Sequence, residues 1–292
     1  MNERNATVTP GSGWMYRLLI WLLKKTDIRV FYVIMSVFII PVTLIVSPGA
    51  RLTYHYYHLR RKYGVAKAIW ATYRNHCIFG QTVIDKFAMY AGHQFEIELE
   101  GYDNFLRLAA QPDGFVQLSS HVGNYEIAGY SLVAEKKRFN ALVFSGEKAE
   151  VMNNRQKLFQ HANINMIPIK PDMSHLFEIN AALANGETVS IPADRIWGSQ
   201  KYVPVTFLGC EAHLPIGPFR VVTSRGVDVL VVHVMKTAWN HYKIYVTPLP
   251  YDKTAPRGQQ IAELANSYIH EVERIIRMYP TQWHNYFDFW KQ

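Results

Sequence analysis

Charge is what this chain has least of. Asp, Glu, Lys and Arg together make up 18% of its 292 residues, against about a quarter in ordinary soluble proteins. From Val30 to Ala50 no side chain is charged at all. Cysteine is nearly absent: Cys77 and Cys210 lie far apart without metal-type spacing, and read as two free thiols in a reducing compartment. There is no zinc-finger spacing, no aromatic RNA-binding motif and no long Lys/Arg run, which argues against a nucleic-acid partner. Internal repeats and low-complexity linkers are also missing. Ser119 and Ser120 sit in no G-x-S-x-G elbow, so a serine hydrolase is not indicated. The remaining histidines, among them His161, His175, His213, His233, His241 and His270, show no ligand spacing, and no metal is assigned. The apolar run starts late and no A-x-A-like site follows it, which argues against a cleaved secretory signal.

What is present is apolar and aromatic: 49% hydrophobic and 14% Phe, Trp and Tyr, with a formal net charge of +8. That excess attracts anions such as acidic headgroups or an acidic carrier protein. The segment Val30–Val46 could just cross a bilayer, which takes roughly 20 apolar residues. Pro41 is expected to kink it and Pro48-Gly49 to end it. Basic residues flank both ends (Arg29; Arg51, Arg60, Arg61 and Lys62), so the positive-inside rule gives no orientation, and a span or an interface-lying hairpin both fit residues 30–47. Before it, Trp14-Met-Tyr-Arg-Leu-Leu-Ile-Trp21-Leu-Leu-Lys-Lys25 reads as an interfacial helix. Residues 1–64 are therefore taken as a membrane-anchoring segment and 65–292 as a catalytic domain.

From Val65 to Ala91 the apolar spacing predicts a helix. Strands are expected at Phe95–Leu99, Phe115–Ser119, Asn140–Phe144, Ile164–Ile169, Thr188–Pro192, Val203–Phe207, Val227–Lys236 and Tyr242–Pro248. Helices are expected at about 123–136, 148–162, 173–185, 217–225 and 256–278. Runs such as Val229–Val234 are apolar on both faces, as in a sheet covered on both sides. The alternation predicts an α/β layered sheet flanked by helices.

One segment carries chemistry: Phe115-Val-Gln-Leu-Ser-Ser-His121-Val-Gly123-Asn124-Tyr125-Glu126. A buried strand runs to a histidine at its C-terminal end, where open α/β sheets bind ligands. A glycine follows, then a helix whose early Glu126 could fold back to His121. A carboxylate on one imidazole nitrogen fixes the tautomer and makes the other a better base. The His-x4-acid spacing is uninformative alone, since His93 and Glu98 share it within an alternating strand; setting distinguishes His121. Asn124 bonds either the backbone of the turn or a substrate. Asp194 and Arg195 end an apolar strand, where an unpaired charge would be costly; Asp194 is placed as a charge or hydrogen-bond partner near the base, and Arg195 as a phosphate or oxyanion contact. Arg155, in Asn153-Asn154-Arg155-Gln156-Lys157, either reaches a substrate phosphate or belongs to a solvated face.

The stretch Leu118-Ser-Ser-His121-Val-Gly123-Asn124-Tyr-Glu126 resembles the signature of the late acyltransferases of lipid A biosynthesis, within the lysophospholipid acyltransferase superfamily. Ile191-Pro-Ala-Asp194-Arg195-Ile-Trp-Gly198, Val203-Pro-Val-Thr-Phe207-Leu-Gly209, Gly217-Pro-Phe-Arg220 and Pro280-Thr-Gln-Trp283 resemble further blocks. The resemblance runs from roughly residue 90 to the end, and more loosely through the N-terminal membrane region. It implies a lysophospholipid acyltransferase-like fold with N-terminal membrane-associating helices, His121 as general base and Glu126 as its orienting partner. It also implies an acyl-carrier-protein or coenzyme A thioester as donor, with no cofactor and no protein nucleophile. The expectation is a membrane-bound enzyme acylating a hydroxyl of a lipid A-type precursor, at the inner membrane with its catalytic domain facing the cytoplasm. Its rivals are another acceptor (a lysophospholipid, an amino-acid lipid or a polyene lipid), a thioesterase, and a non-catalytic lipid-binding protein. The simple glycerolipid reading is weakened because Ile191–Arg195 stands where an F-P-E-G-T-R block would be.

Overall fold

The computed structural model describes residues 12–125, 127, 132, 137–144, 163–170, 172–196 and 201–291. Four helices open the chain: α1 (Ser12–Leu23), α2 (Ile28–Ile34), α3 (Ile40–Val46) and α4 (Pro48–His55). Asp27 caps α2, its carboxylate accepting from the Arg29 backbone N–H. Helices α2 and α3 are joined by a π turn, Met35–Ile39. The widened turn lies just ahead of Pro41, which has no N–H and whose ring crowds the preceding turn. The kink expected at Pro41 thus takes this form. Pro48 does more than stop the run: it occupies the first turn of α4, where its missing N–H costs nothing. Ile28–Val46 is long and apolar enough to cross a membrane by length and composition.

These helices lie along α5 (Val65–Tyr90). At Gly80 an added Cβ would come within 1.9 Å of Met35 Sδ, so the Met35 side chain packs directly on this glycine and a larger residue would make it move. Beyond α5 come β1 (Glu96–Glu100), α6 (Tyr102–Ala110), β2 (Phe115–Ser119), β3 (Phe139–Phe144), β4 (Ile164–Ile169), α7 (His175–Ala184) and β5 (Thr188–Pro192). The hairpin β6 (Tyr202–Phe207) and β7 (Cys210–Pro215) follows, then α8 (Ile216–Arg225), β8 (Asp228–Ala238), β9 (His241–Pro248) and α9 (Arg257–Met278). Seven strands form one sheet in the order β1-β9-β8-β2-β5-β3-β4. All neighbours are parallel except β8 and β9.

The fold is therefore mixed α/β, a largely parallel sheet between helical layers. Alternation along the central strands feeds both layers. Val116, Leu118, Val229 and Val231 join the cluster under α8 and α9. Phe115, Leu230, Val232 and Val234 join Phe105 and Leu108 of α6 on the other face. The strands expected from sequence are present to within about two residues. Helix α6 and strand β7 were not expected. The helices expected at 123–136 and 148–162 lie largely or wholly outside the described residues.

Candidate active site

Strands β2 and β5 are parallel neighbours with Ser119 opposite Pro192. Two residues further along each strand stand His121 and Asp194, so the sheet register sets them side by side. Asp194 Oδ1 accepts from His121 Nδ1 at 2.8 Å, and Oδ2 accepts from the His121 backbone N–H at 2.7 Å. The carboxylate is 4% exposed and the imidazole 23%. Burial alone would raise the Asp194 carboxyl. The His121 ring, the Arg195 guanidinium and the two His121 bonds outweigh it and hold the group below the usual carboxylate range. Asp194 thus stays ionised, fixes the proton on Nδ1 and leaves Nε2 as the basic nitrogen.

The turn after His121 is clamped from two sides. Gly123 has φ +71°, and a Cβ there would meet the Val234 carbonyl oxygen at 2.0 Å. The Gly123 N–H donates to Gln282 O at 2.7 Å and the Asn124 N–H to Val234 O at 2.8 Å. The segment Pro280–Trp283 closes over this turn: Gln282 exchanges two bonds with the Lys236 backbone, and Val122 pairs with Trp283. Among the described residues the Asn124 side chain donates to Tyr242 Oη at 3.2 Å. Tyr242 in turn donates to Asp85, a wholly buried carboxylate on α5 that also takes Tyr32 Oη from α2 and Lys236 Nζ from β8.

A cleft of about 540 Å³ opens beside this turn. His121, Asn124, Arg195 and His284 supply its polar side, while Phe79, Val83 and Phe87 of α5 supply apolar wall. Arg195 Nη2 donates to His284 O at 3.0 Å, and its guanidinium lies over the Phe287 ring. Burial lowers its proton affinity, partly offset by Asp194.

The site residues expected from sequence therefore divide. His121, Asn124 and Arg195 line one cleft, and Asp194, placed only near the base, is the residue bonded to Nδ1. Glu126, expected as the orienting partner, and Arg155 lie outside the described residues. His93 and Glu98 take separate partners, Asn240 and Lys243, as befits a strand with no turn between them. His284, Tyr242, Asp85 and Lys236 were not foreseen. For Lys236 the available signal was a charge following the apolar run Val229–Met235; α5 carries other charges, so Asp85 had none.

Two buried imidazoles make the fold acid-sensitive. Burial pushes His233 down to about 4. Burial, aided by the nearby His121, His76 and Arg195, pushes His284 down to about 3. An unfolded histidine titrates near 6.5. Between these values the unfolded chain binds protons that the folded chain refuses, so stability is complete above roughly pH 6.5 and declines as pH falls through the window. At about pH 5 each imidazole is expected to weaken the fold by about 2 kcal/mol. The melting temperature in detergent should fall on going from neutral pH to that point, and His233→Leu should fall less. A flat melting temperature in the wild type would contradict this.

Comparison with known proteins adds the family. Residues 67–292 match the model of the bacterial lipid A biosynthesis acyltransferases. The 1-acyl-sn-glycerophosphate (LPA) acyltransferase PlsC from Thermotoga maritima is similar over 93% of this chain and 99% of its own, at 16% identity and a TM-score of 0.42, too slight a likeness to argue from. No curated protein matches the chain. The family match spans the turn after His121, its Asp194 partner and the segment that closes over them, and on that match the chain belongs to the bacterial lipid A biosynthesis acyltransferase family.

Proposed function

We propose that this acyltransferase moves a fatty acyl chain from a carrier-protein or coenzyme A thioester onto a hydroxyl of a lipid A-type precursor. The observation that carries the reading is the His121–Asp194 pair, set at adjacent strand ends and opening on a cleft with an apolar wall. The acceptor hydroxyl gives its proton to His121 Nε2 as its oxygen attacks the thioester carbonyl carbon. Asp194 stabilises the imidazolium that forms. The tetrahedral intermediate collapses with loss of the thiolate, which recovers the proton from His121. Ester and thiol are the products, and no protein nucleophile or cofactor takes part.

The acyl chain lies against Phe79, Val83 and Phe87, and the extent of that wall sets chain preference. The enzyme sits on the cytoplasmic face of the inner membrane. Exposed Trp14, Trp21, Val33, Phe38, Ile45 and Val46 form an apolar surface of the kind that inserts into lipid. The net positive charge attracts acidic headgroups and an acidic carrier protein.

The test is to incubate the full chain in detergent with acyl thioesters and a total lipid extract, comparing wild type with His121→Ala by mass spectrometry. A lipid that gains one acyl group only with wild type is the expected result, and its identity names the acceptor. Free fatty acid without acylated lipid would mean a thioesterase. Identical profiles for wild type and variant would remove His121 from the chemistry.

A further inference from the structure

The cleft has hydrogen-bonding capacity that the protein leaves unused. His284 is only 5% exposed. Both of its ring nitrogens are buried without a hydrogen-bond partner among the described residues, and so is Arg195 Nε. A neutral imidazole carries one N–H donor and one lone pair. Burying such groups unmade is unfavourable, and native proteins leave few of them. These orphans belong to one place: His284 and Arg195 both line the cleft beside His121, and the unpartnered nitrogens are buried in its wall. Nor is the imidazole loosely held. The His284 backbone N–H donates to His121 O at 3.1 Å, its carbonyl takes Arg195 Nη2 at 3.0 Å, and its ring packs on Phe79 with centroids 5.2 Å apart. Base, imidazole and guanidinium form one set, and what the set lacks is an oxygen.

The chemistry selects which oxygen. The acceptor hydroxyl is engaged by His121, to which it gives its proton. A phosphate is already anionic before reaction and would favour a charged imidazole, whereas burial and the neighbouring basic groups, the Arg195 guanidinium among them, keep His284 uncharged. An uncharged N–H suits an oxygen that is neutral in the ground state and gains charge in the transition state. The His284 ring nitrogens are themselves buried, and a low local dielectric strengthens the interaction.

We propose that a ring N–H of His284, with Arg195 Nε beside it, binds the thioester carbonyl oxygen and stabilises the oxyanion formed when the acceptor hydroxyl attacks. The inference rests on the acyl-transfer reading above. The new carbon–oxygen bond sends the carbonyl π electrons onto that oxygen. The His284 proton stays in place throughout, and they return when the carbon–sulfur bond breaks. His284 is then a catalytic residue.

Steady-state kinetics on the full chain in detergent, with acyl thioester and the acceptor identified by product analysis, tests this with two variants. His284→Phe keeps the ring packing against Phe79 and removes the donor; His284→Asn restores a donor. His284→Phe is expected to lower kcat about 100- to 1000-fold, with both KM values within about threefold of wild type. It should melt no lower than wild type, since two unmet buried polar atoms are gone. His284→Asn should recover at least about tenfold of the lost kcat, because it again offers an N–H to the oxyanion. A His284→Phe enzyme with near wild-type kcat, a loss confined to acceptor KM, or an Asn variant no better than Phe would each overturn the inference. A wild type that transfers no acyl group overturns the acyl-transfer reading and this inference with it. An active wild type matched by His284→Phe overturns this inference alone.

Discussion

Asp194→Asn is expected to lower kcat by about 10³- to 10⁴-fold with little change in substrate KM, as for other base–carboxylate pairs. The size follows from the two bonds the carboxylate makes. Oδ1 accepts from His121 Nδ1 and Oδ2 from the His121 backbone N–H. Asparagine has one acceptor oxygen for these two donors. If that oxygen stays on the backbone N–H, the amide NH₂ faces Nδ1 and forces the ring proton onto Nε2, the nitrogen that must act as base. If it stays on Nδ1, the backbone N–H of the catalytic turn meets another donor. Either way the negative charge that stabilises the imidazolium is gone. Steady-state kinetics beside Glu126→Gln measures this directly. An Asp194→Asn enzyme within about tenfold of wild type would show that another group orients His121.

The second large effect concerns stability. Asp85→Ala is expected to destabilise the fold by about 3–5 kcal/mol, because it leaves the buried Lys236 ammonium without its counter-charge. Lys236 would keep only Tyr32 Oη at 3.1 Å and the Trp239 carbonyl at 3.2 Å. Tyr32 belongs to α2 and Tyr242 to β9, so removing their shared acceptor also loosens α2 from the sheet and frees Tyr242 beside Asn124. For a chain of this size the melting temperature in detergent should drop by roughly 6–20 °C. The double variant Asp85→Leu/Lys236→Met removes both charges and should recover much of the loss, since buried ion pairs replaced by apolar groups are often neutral. An Asp85→Ala protein that melts within about 2 °C of wild type would contradict the assignment of a buried, uncompensated charge.

The two variants probe different kinds of information. The strand before His121 is buried along its whole length and Gly123 follows it with a positive φ, so this turn is legible locally: Phe115, Val116 and Leu118 mark a buried strand and a glycine follows within a few residues. The same holds for α5, α7, α8 and α9, whose apolar spacing and terminators are local. Helix α6 escaped notice because nine residues give too short a periodic stretch. Strand β7 did because Cys-Glu-Ala-His-Leu-Pro carries little β character and gains its order from pairing with β6 across a two-residue turn.

What pairs with what is another matter. His121 and Asp194 are 73 positions apart, and they meet because β5 lies next to β2 with Ser119 opposite Pro192. Strand order is a property of the packed sheet, and no periodicity within either strand encodes it. His284 enters the cleft only because the closing segment bonds back to the His121 carbonyl, and Asp85 of α5 meets Lys236 of β8, 151 positions away, only in the folded chain. By itself the sequence determined the α/β class, the apolar N-terminal helices and the family signature, since each depends on neighbours along the chain. The tertiary structure alone decided which carboxylate bonds His121, which orphan donors share its cleft and how α2 is tied to the sheet beside that turn, because those contacts form between residues that only chain folding brings within hydrogen-bond distance.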